Sequence, residues 1–386
     1  MIKTILYVHQ SAELYGSDKT LFYLVRSVNI KPDFNVVVIL PNDGPLKEVL
    51  EANNIEVVIS PVLKLSRQMF TLKSILFFPF RVKKAIKSLN NSLNGQKIDI
   101  IHSNTLAVLI GAFYSKKYNI KHIWHIHEII IKPKIVVEML PFIVDWYSDI
   151  VVFNSKASKQ FLCRRKKSLN EKSIIVLNGF DREEPITPHS KISEIRTNLF
   201  KSNNNETVLA LVGRINRWKG HNLLLDVFAR LKQKTLNLKL IFVGSAPPNQ
   251  DYLAEELQAS INSYGLQNDC LIIPFQKNIW NIWDSIDVAI VPSTEPEPFG
   301  LVAVEAMLAK KPVIAANHGG LSEIVVSEDT GYLFEPNNGN DLERCILNLL
   351  LSEKKLKKFA YNGHKRAINR FSLKSYTDAI SELYEI

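Results

Sequence analysis

The sequence predicts an α/β protein of two domains, each a Rossmann-like, doubly wound parallel sheet covered by helices on both faces. Three observations predict it. Short, nearly continuous β-branched runs alternate with helical stretches, as strands buried on both faces must. The alternation stops near residue 180 and restarts near residue 206. The 386 residues also exceed the roughly 100–200 of one domain and supply apolar material for two cores.

In chain order, the first seven strands are read from TILYVH (4–9), NVVVIL (35–40), IEVVIS (55–60), IDIIHS (98–103), KHIWHIH (121–127), DIVVFNS (149–155) and SIIVLN (173–178). A second series follows: VLALVG (208–213), KLIFVG (239–244), CLIIPF (270–275), VAIVPS (288–293), PVIAAN (312–317) and TGYLF (330–334). Leu224, Val227, Phe228 and Leu231 fall at i, i+3, i+4 and i+7, which puts a helix after the first strand of the second series. Two prolines and a run of three asparagines between the series read as a linker with at most one short helix. The boundaries are therefore 1–180, a linker 181–205, a second domain 206–365, and a helical tail 366–386.

With 46% hydrophobic and 22% charged residues, the mix is that of a folded globular protein. No uncharged apolar run is long enough to span a bilayer, and MIKTILYVHQ turns polar too early for a secretory signal, so the expected location is cytoplasmic. Cys163, Cys270 and Cys345 form no C-x-x-C pair, and buried reduced thiols are expected. Charge is lopsided: residues 1–180 carry 25 Lys and Arg against 13 Asp and Glu, a net +12, whereas residues 181–386 carry 23 against 25, a net −2. The first half should therefore face an anionic partner.

Ligands of open α/β sheets bind at the carboxyl ends of the strands, so the loops there carry the chemistry. The loop after VAIVPS is the most informative. Glu297 precedes Pro298-Phe299-Gly300, and Glu305 follows eight positions later on the next helix. A helix starting near Gly300 aims unpaired N–H groups and a positive dipole end at a diphosphate-sized anion. The flanking carboxylates suit hydroxyl donors such as those of sugar and ribose. In VGRINRWKGHNLL (212–224), Arg214 and Lys219 lie on the loop after the first strand of the second series, where both cations can turn toward one phosphate-sized site.

The two glutamates around Pro-Phe-Gly closely resemble the signature of retaining glycosyltransferases of the GT-B architecture, specifically glycosyltransferase family 4. The resemblance extends over nearly the whole chain and is strongest over 205–330. It implies two Rossmann-like domains facing across a cleft, with a tail helix that crosses back to the first domain. It also implies that Glu297 contacts the hydroxyls of the transferred sugar, that the backbone at Phe299, Gly300 and Leu301 meets sugar and diphosphate, and that Glu305 holds the ribose. Arg214 and Lys219 would bind the diphosphate and stabilise the leaving group, and Phe275 would complete the donor site. Arg217 is read as a bystander.

In LYGSDKTLFYLV (14–25), the family's Gly-rich turn is reduced to Tyr15-Gly16, with Ser17 as a possible N–H donor to the donor phosphates. In IWHIHEII (123–130), alternation sends His125 and His127 to one face. The resemblance places His127 beside the donor sugar as a hydrogen-bonding group, and a satisfied structural histidine is the bland alternative. The sequence departs from the family at Ser245 and Lys310, where glycines are usual. No Asp-x-Asp occurs, no metal site is assigned, and transfer is expected to need neither metal nor cofactor beyond a UDP-, GDP- or other nucleotide-sugar donor.

Between Glu56 and Asp99 there is no acidic residue, while Lys64, Arg67, Lys73, Arg81, Lys83, Lys84, Lys87 and Lys97 are interleaved with Phe70, Ile75, Leu76, Phe77, Phe78 and Phe80. Such a segment either lies on an anionic bilayer, with RRKK at 164–167 adding to that surface, or is a helix with a core face and a solvated basic face. The reading that unites these features is a retaining glycosyltransferase acting on a lipid-linked glycan in bacterial surface-polysaccharide assembly, peripheral on the cytoplasmic face of the inner membrane. Two rivals are a sugar epimerase or phosphorylase of the same architecture, and a nucleic-acid binder with a vestigial donor site; no nucleic-acid motif supports the latter.

Overall fold

In the computed structural model, which describes residues 2–65, 71, 76–203, 205–234 and 237–386, the chain forms two compact units. Residues 1–180 and 373–386 make the first; residues 181–372 make the second. Arg67, Phe70, Lys73 and Ile75 of the basic segment lie outside the described residues.

The first unit contains β1 (Lys3–Val8), β2 (Phe34–Leu40), β3 (Glu56–Ile59), β4 (Ile100–Ser103), β5 (Lys121–Ile126), β6 (Ile150–Phe153) and β7 (Ser173–Ile175). They form a seven-stranded parallel sheet in the order β3-β2-β1-β4-β5-β6-β7. Its strands are apolar on both faces because a helical layer covers each. On one face Leu6, Val37, Ile101 and Trp124 pack under Ala85, Leu89, Leu140 and Val144. On the other, Ile5, Val36 and Ile100 pack under Leu21, Leu24, Tyr376 and Ile380. Tyr376 and Ile380 belong to the last helix, Leu373–Glu385, whose Tyr384 hydroxyl is 2.6 Å from that of Tyr7.

The second unit contains β8 (Thr207–Val212), β9 (Leu238–Val243), β10 (Cys270–Ile273), β11 (Val288–Val291), β12 (Val313–Ala316) and β13 (Gly331–Phe334), in the parallel order β10-β9-β8-β11-β12-β13. Leu224, Val227, Phe228 and Leu231 are buried on the helix His221–Gln233, as their spacing predicts. The helix His189–Glu194 and the π turn Ile195–Leu199 are fastened to the second unit by ion pairs of Arg182 with Asp284 (2.6 Å) and Arg196 with Asp287 (3.1 Å).

All the apolar runs read as strands are strands, and both sheets are doubly wound. In each, strand order reverses direction beside the opening strand: between β1 and β4, and between β8 and β11. Connections leave such a pair toward opposite faces, so the carboxyl ends there open into a crevice. The three cysteines are free and buried. Among the described residues, no helix is long and apolar enough to cross a membrane.

Candidate functional site

In the second unit, the loops after β8 and β11 meet at that reversal. Asn216 Oδ1 accepts from the backbone N–H groups of Trp218 (3.2 Å) and Lys219 (3.0 Å), which folds the β8 loop into a tight turn. Thr294 N donates to Trp218 O at 2.8 Å and ties that turn to the β11 loop. The result places Lys219 Nζ 2.5 Å from Glu297 Oε1. Ser293 Oγ donates to the same carboxylate oxygen at 2.6 Å, and His318 Nε2 donates to Ser293 O at 2.7 Å. Gly320 N donates to Glu297 O at 2.7 Å. Gly319 has φ +59°, and a Cβ there would lie 2.2 Å from Glu297 O, so only glycine lets the β12 loop approach so closely.

Immediately after Glu297, Phe299 is buried with its ring 5.8 Å from that of Phe371. Gly300, at φ +110°, caps the helix Leu301–Leu308, where a Cβ would meet Leu321 at 2.5 Å. The first N–H groups of this helix have no intrahelical acceptor and are available to an anion. Glu305 is buried on the same helix, accepting from Trp283 Nε1 at 3.2 Å. Ser245 binds two loops at once: its carbonyl accepts from Ile215 N at 3.1 Å, next to half-buried Arg214, and its hydroxyl accepts from Phe275 N at 3.1 Å. The Phe275 ring is 42% exposed beside them. Arg217 is exposed, with Glu256 at 3.9 Å.

The first unit gathers a second set at the β1/β4 reversal. His9 follows β1, Asn104 follows β4, His127 follows β5 and Asp18 lies on the helix Gly16–Asn29; all four are buried. His127 Nε2 donates to Asn104 Oδ1 (3.2 Å), Asn104 Nδ2 donates to His9 Nδ1 (3.3 Å), and His9 Nε2 donates to Asp18 Oδ1 (2.7 Å). With Nε2 donating to Asn104, His127 Nδ1 keeps its lone pair. Burial, then the nearby His9, push the His127 imidazolium down to about 3, so the ring is neutral at physiological pH. Burial opposes ionisation of Asp18, but hydrogen bonds from His9, Ser11 and Tyr15 N outweigh it and lower its pKa. Glu128 accepts from Leu106 N at 2.9 Å and from Thr105, anchoring the loop after β4. The His125 ring lies against that of His127, tilted by 38° with centroids 4.1 Å apart. A Cβ at Gly16 would meet no atom within 4 Å, and Ser17 is half-buried beside it.

Lys219 and Glu297 thus touch; Gly300, Leu301 and Glu305 lie on the helix that begins there, and Arg214 and Phe275 on adjoining loops. Gly16, Ser17 and His127 belong to the first unit. Sequence reading missed Ser293, His318, Trp283, His9, Asp18 and Asn104, and singled out Ser245 only as a departure from the family. Only His9, Asn104 and Ser293, at the ends of strands on the reversals, carried a positional signal. Among the described residues, no group of three or more His, Cys, Asp and Glu is placed to hold a metal ion.

Residues 194–366 match the model of the glycosyl transferases group 1, and residues 28–184 match that of glycosyltransferase family 4. A glycosyltransferase of Methanocaldococcus jannaschii is 28% identical over 307 residues, 78% of this chain and 79% of its own. The lipopolysaccharide 1,2-N-acetylglucosaminetransferase of Salmonella typhimurium is 33% identical over 181 residues, 46% of this chain and 47% of its own. The crystal structure of Anabaena HepE in complex with UDP and glucose superposes with a TM-score of 0.83 at 27% identity, over 99% of both chains.

Proposed function

The chain belongs to glycosyltransferase family 4, the group-1 glycosyl transferases of GT-B fold, whose members retain anomeric configuration, and from that membership we propose that it moves a hexose from a UDP-sugar to a hydroxyl of a lipid-linked glycan in bacterial surface-polysaccharide assembly. That it is a glycosyltransferase using a nucleotide-sugar donor follows from the family. UDP-glucose is the first donor to try, because HepE holds UDP and glucose. The acceptor class is supported by the Salmonella enzyme and by the +12 charge of residues 1–180, which suits an anionic membrane surface where a lipid carrier is met.

The observation that carries the reading is the Lys219–Glu297 contact at the mouth of the Gly300-capped helix. The cations Lys219 and Arg214 and the N–H groups of Gly300 and Leu301 receive the diphosphate and neutralise charge as it leaves. Glu297 accepts from hydroxyls of the sugar and Glu305 from those of the ribose. His127 Nδ1 accepts from a sugar hydroxyl and fixes its orientation. Phe275 completes the donor site, and Phe299 is the buried wedge that holds the loop. With two fixed cations at the leaving group, no divalent ion is called for.

The test is incubation with UDP-, GDP-, ADP- and dTDP-sugars, reading thermal shift and sugar transferred to an exogenous lipid-linked acceptor, with the product anomer assigned by NMR. A shift of several degrees with one UDP-sugar and a retained anomer support the reading. No shift at millimolar donor and no transferred sugar would overturn it.

A further inference from the structure

The helix Lys134–Tyr147 is apolar on two sides. Val136, Val137, Leu140 and Val144 are buried against the first sheet, as expected of a covering helix. On the opposite side, Ile135, Met139, Phe142 and Trp146 are 62%, 50%, 56% and 70% exposed. Their spacing is i, i+4, i+7 and i+11, so they form a single stripe over the length of the helix. A helix that merely covers a sheet carries polar residues there, and four large side chains in one exposed row mark an interaction surface.

The surroundings of the stripe say what kind of surface it meets. Lys116 Nζ lies 5.5 Å from the Trp146 ring centroid, and Lys166 Nζ lies 5.6 Å from that of Phe142. The acids of the helix are already matched: Glu138 pairs with Arg165 at 3.0 Å, and Asp145 with Lys166 at 3.3 Å and Lys172 at 3.1 Å. The rim therefore carries a net positive charge, with Lys116, Arg165, Lys166 and Lys172 against Glu138 and Asp145. The helix Phe78–Ser92 lies in the same layer, since its Ala85, Ile86 and Leu89 share the core beneath Leu140 and Val144. It adds exposed Phe77 and Phe80 and the exposed cations Arg81, Lys83, Lys84 and Lys87. Rings connect the two helices: Phe78 to Phe113 at 5.7 Å, and Phe113 to Tyr147 at 5.1 Å.

We propose that the stripe Ile135, Met139, Phe142 and Trp146 is the surface by which the protein docks onto an anionic lipid bilayer, with the aromatic rings in the headgroup layer and the lysines on lipid phosphates. Charge complementarity selects this partner: an apolar stripe with a net positive rim, continued by the cations Arg81, Lys83, Lys84 and Lys87, is matched by a bilayer of anionic headgroups. The inference rests on the membrane reading above and centres it on a helix outside the basic segment 57–98, whose described part adds exposed Leu76, Phe77 and Phe80 and a basic face.

Sedimentation with vesicles of phosphatidylcholine alone, or with 30% phosphatidylglycerol, tests it, comparing the native chain with Phe142→Ser/Trp146→Ser. Both positions are exposed, so unchanged circular dichroism and melting are expected. The native chain should bind the anionic vesicles, more weakly in high salt, and the double variant should lose at least about ten-fold of that affinity while transfer to a water-soluble acceptor is unchanged. Equal binding by the double variant would overturn the stripe and leave the membrane reading standing. Absence of native binding to either vesicle would overturn both. A native dimer in sedimentation velocity that the double variant dissolves would overturn the lipid assignment in favour of a second copy of the chain.

Discussion

Lys219 Nζ and Glu297 Oε1 are 2.5 Å apart, and their side chains are only 14% and 6% exposed. Each charge of the pair is compensated by the other, and Ser293 adds a second donor to the carboxylate. A diphosphate that takes Lys219 leaves Glu297 with unmet acceptor capacity in a desolvated setting, and sugar hydroxyls are what can fill it. On the proposed reading, donor phosphate and donor sugar would be coupled through this one contact.

Glu297→Gln should therefore divide binding from transfer. Losing the carboxylate frees Lys219, so UDP binds more tightly than to the native chain, while transfer falls by about 100-fold or more because a charge-assisted contact at the sugar is gone. Without ligand the variant melts lower, since a buried cation has lost its partner at a cost of about 3–5 kcal/mol. Lys219→Ala should weaken UDP and transfer together. Calorimetric titration of UDP and initial rates check this, and weaker UDP binding by Glu297→Gln would contradict the coupling.

The fold was legible because parallel strands covered on both faces are unbroken apolar words, as in FNVVVIL at Phe34–Leu40 and LKLIFV at Leu238–Val243. Their ends were less so: SIIVLN reads as six residues, but β7 stops at Ile175 as the chain leaves the sheet edge. Glu297 and Lys219 could be singled out because each follows a strand on the reversal. His318 could not, since what matters about it is a hydrogen bond to Ser293 O formed only once β11 and β12 are neighbours. The stripe on Lys134–Tyr147 was hidden for a related reason. A segment apolar all round reads as buried, and only packing shows which side the sheet leaves uncovered.

Gly319→Ala tests how Glu297 is held. The new Cβ would overlap Glu297 O, and φ +59° is unfavourable for alanine, so the β11 loop must shift. Transfer should drop by more than ten-fold, with about 1–3 kcal/mol of stability lost. Gly16→Ala, where a Cβ meets no protein atom, should leave the melting temperature unchanged. A crystal structure or paired denaturation curves would decide, and native rates in Gly319→Ala would refute the requirement for close approach.

Asn104→Asp should convert His127 from neutral to titrating. In the native chain the ring is held neutral, with its cation pushed down to about 3, so its ionisation leaves no trace in rates between pH 5 and 9. A carboxylate in place of the Asn104 amide would stand about 3.2 Å from His127 Nε2 and favour the charged ring. The variant then gains a limb near neutrality, with activity rising as pH increases and Nδ1 recovers its lone pair. An unchanged pH profile in a folded Asn104→Asp variant would contradict the role proposed for His127.

Acid should loosen the first unit before the second. Burial pushes His102 and His127 down to about 3 and His122 to about 4, and holds His125 well below its ordinary value, all in the first unit, whereas His221, at about 3, belongs to the second. The sign follows from the unfolded chain, whose histidines titrate near 6.5 and bind protons that the folded rings refuse. Stability is complete above pH 6.5 and declines as pH falls toward the folded values. Each ring contributes about 1.4 kcal/mol per pH unit once its unfolded form is protonated. Hydrogen exchange followed by mass spectrometry at pH 7, 6 and 5 should show protection lost in residues 1–180 and 373–386 while residues 181–372 keep theirs. Equal protection of the first unit at pH 7 and 5 would mean that its histidines reach water, and that the hydrogen-bonded chain from Asp18 to His127 is open.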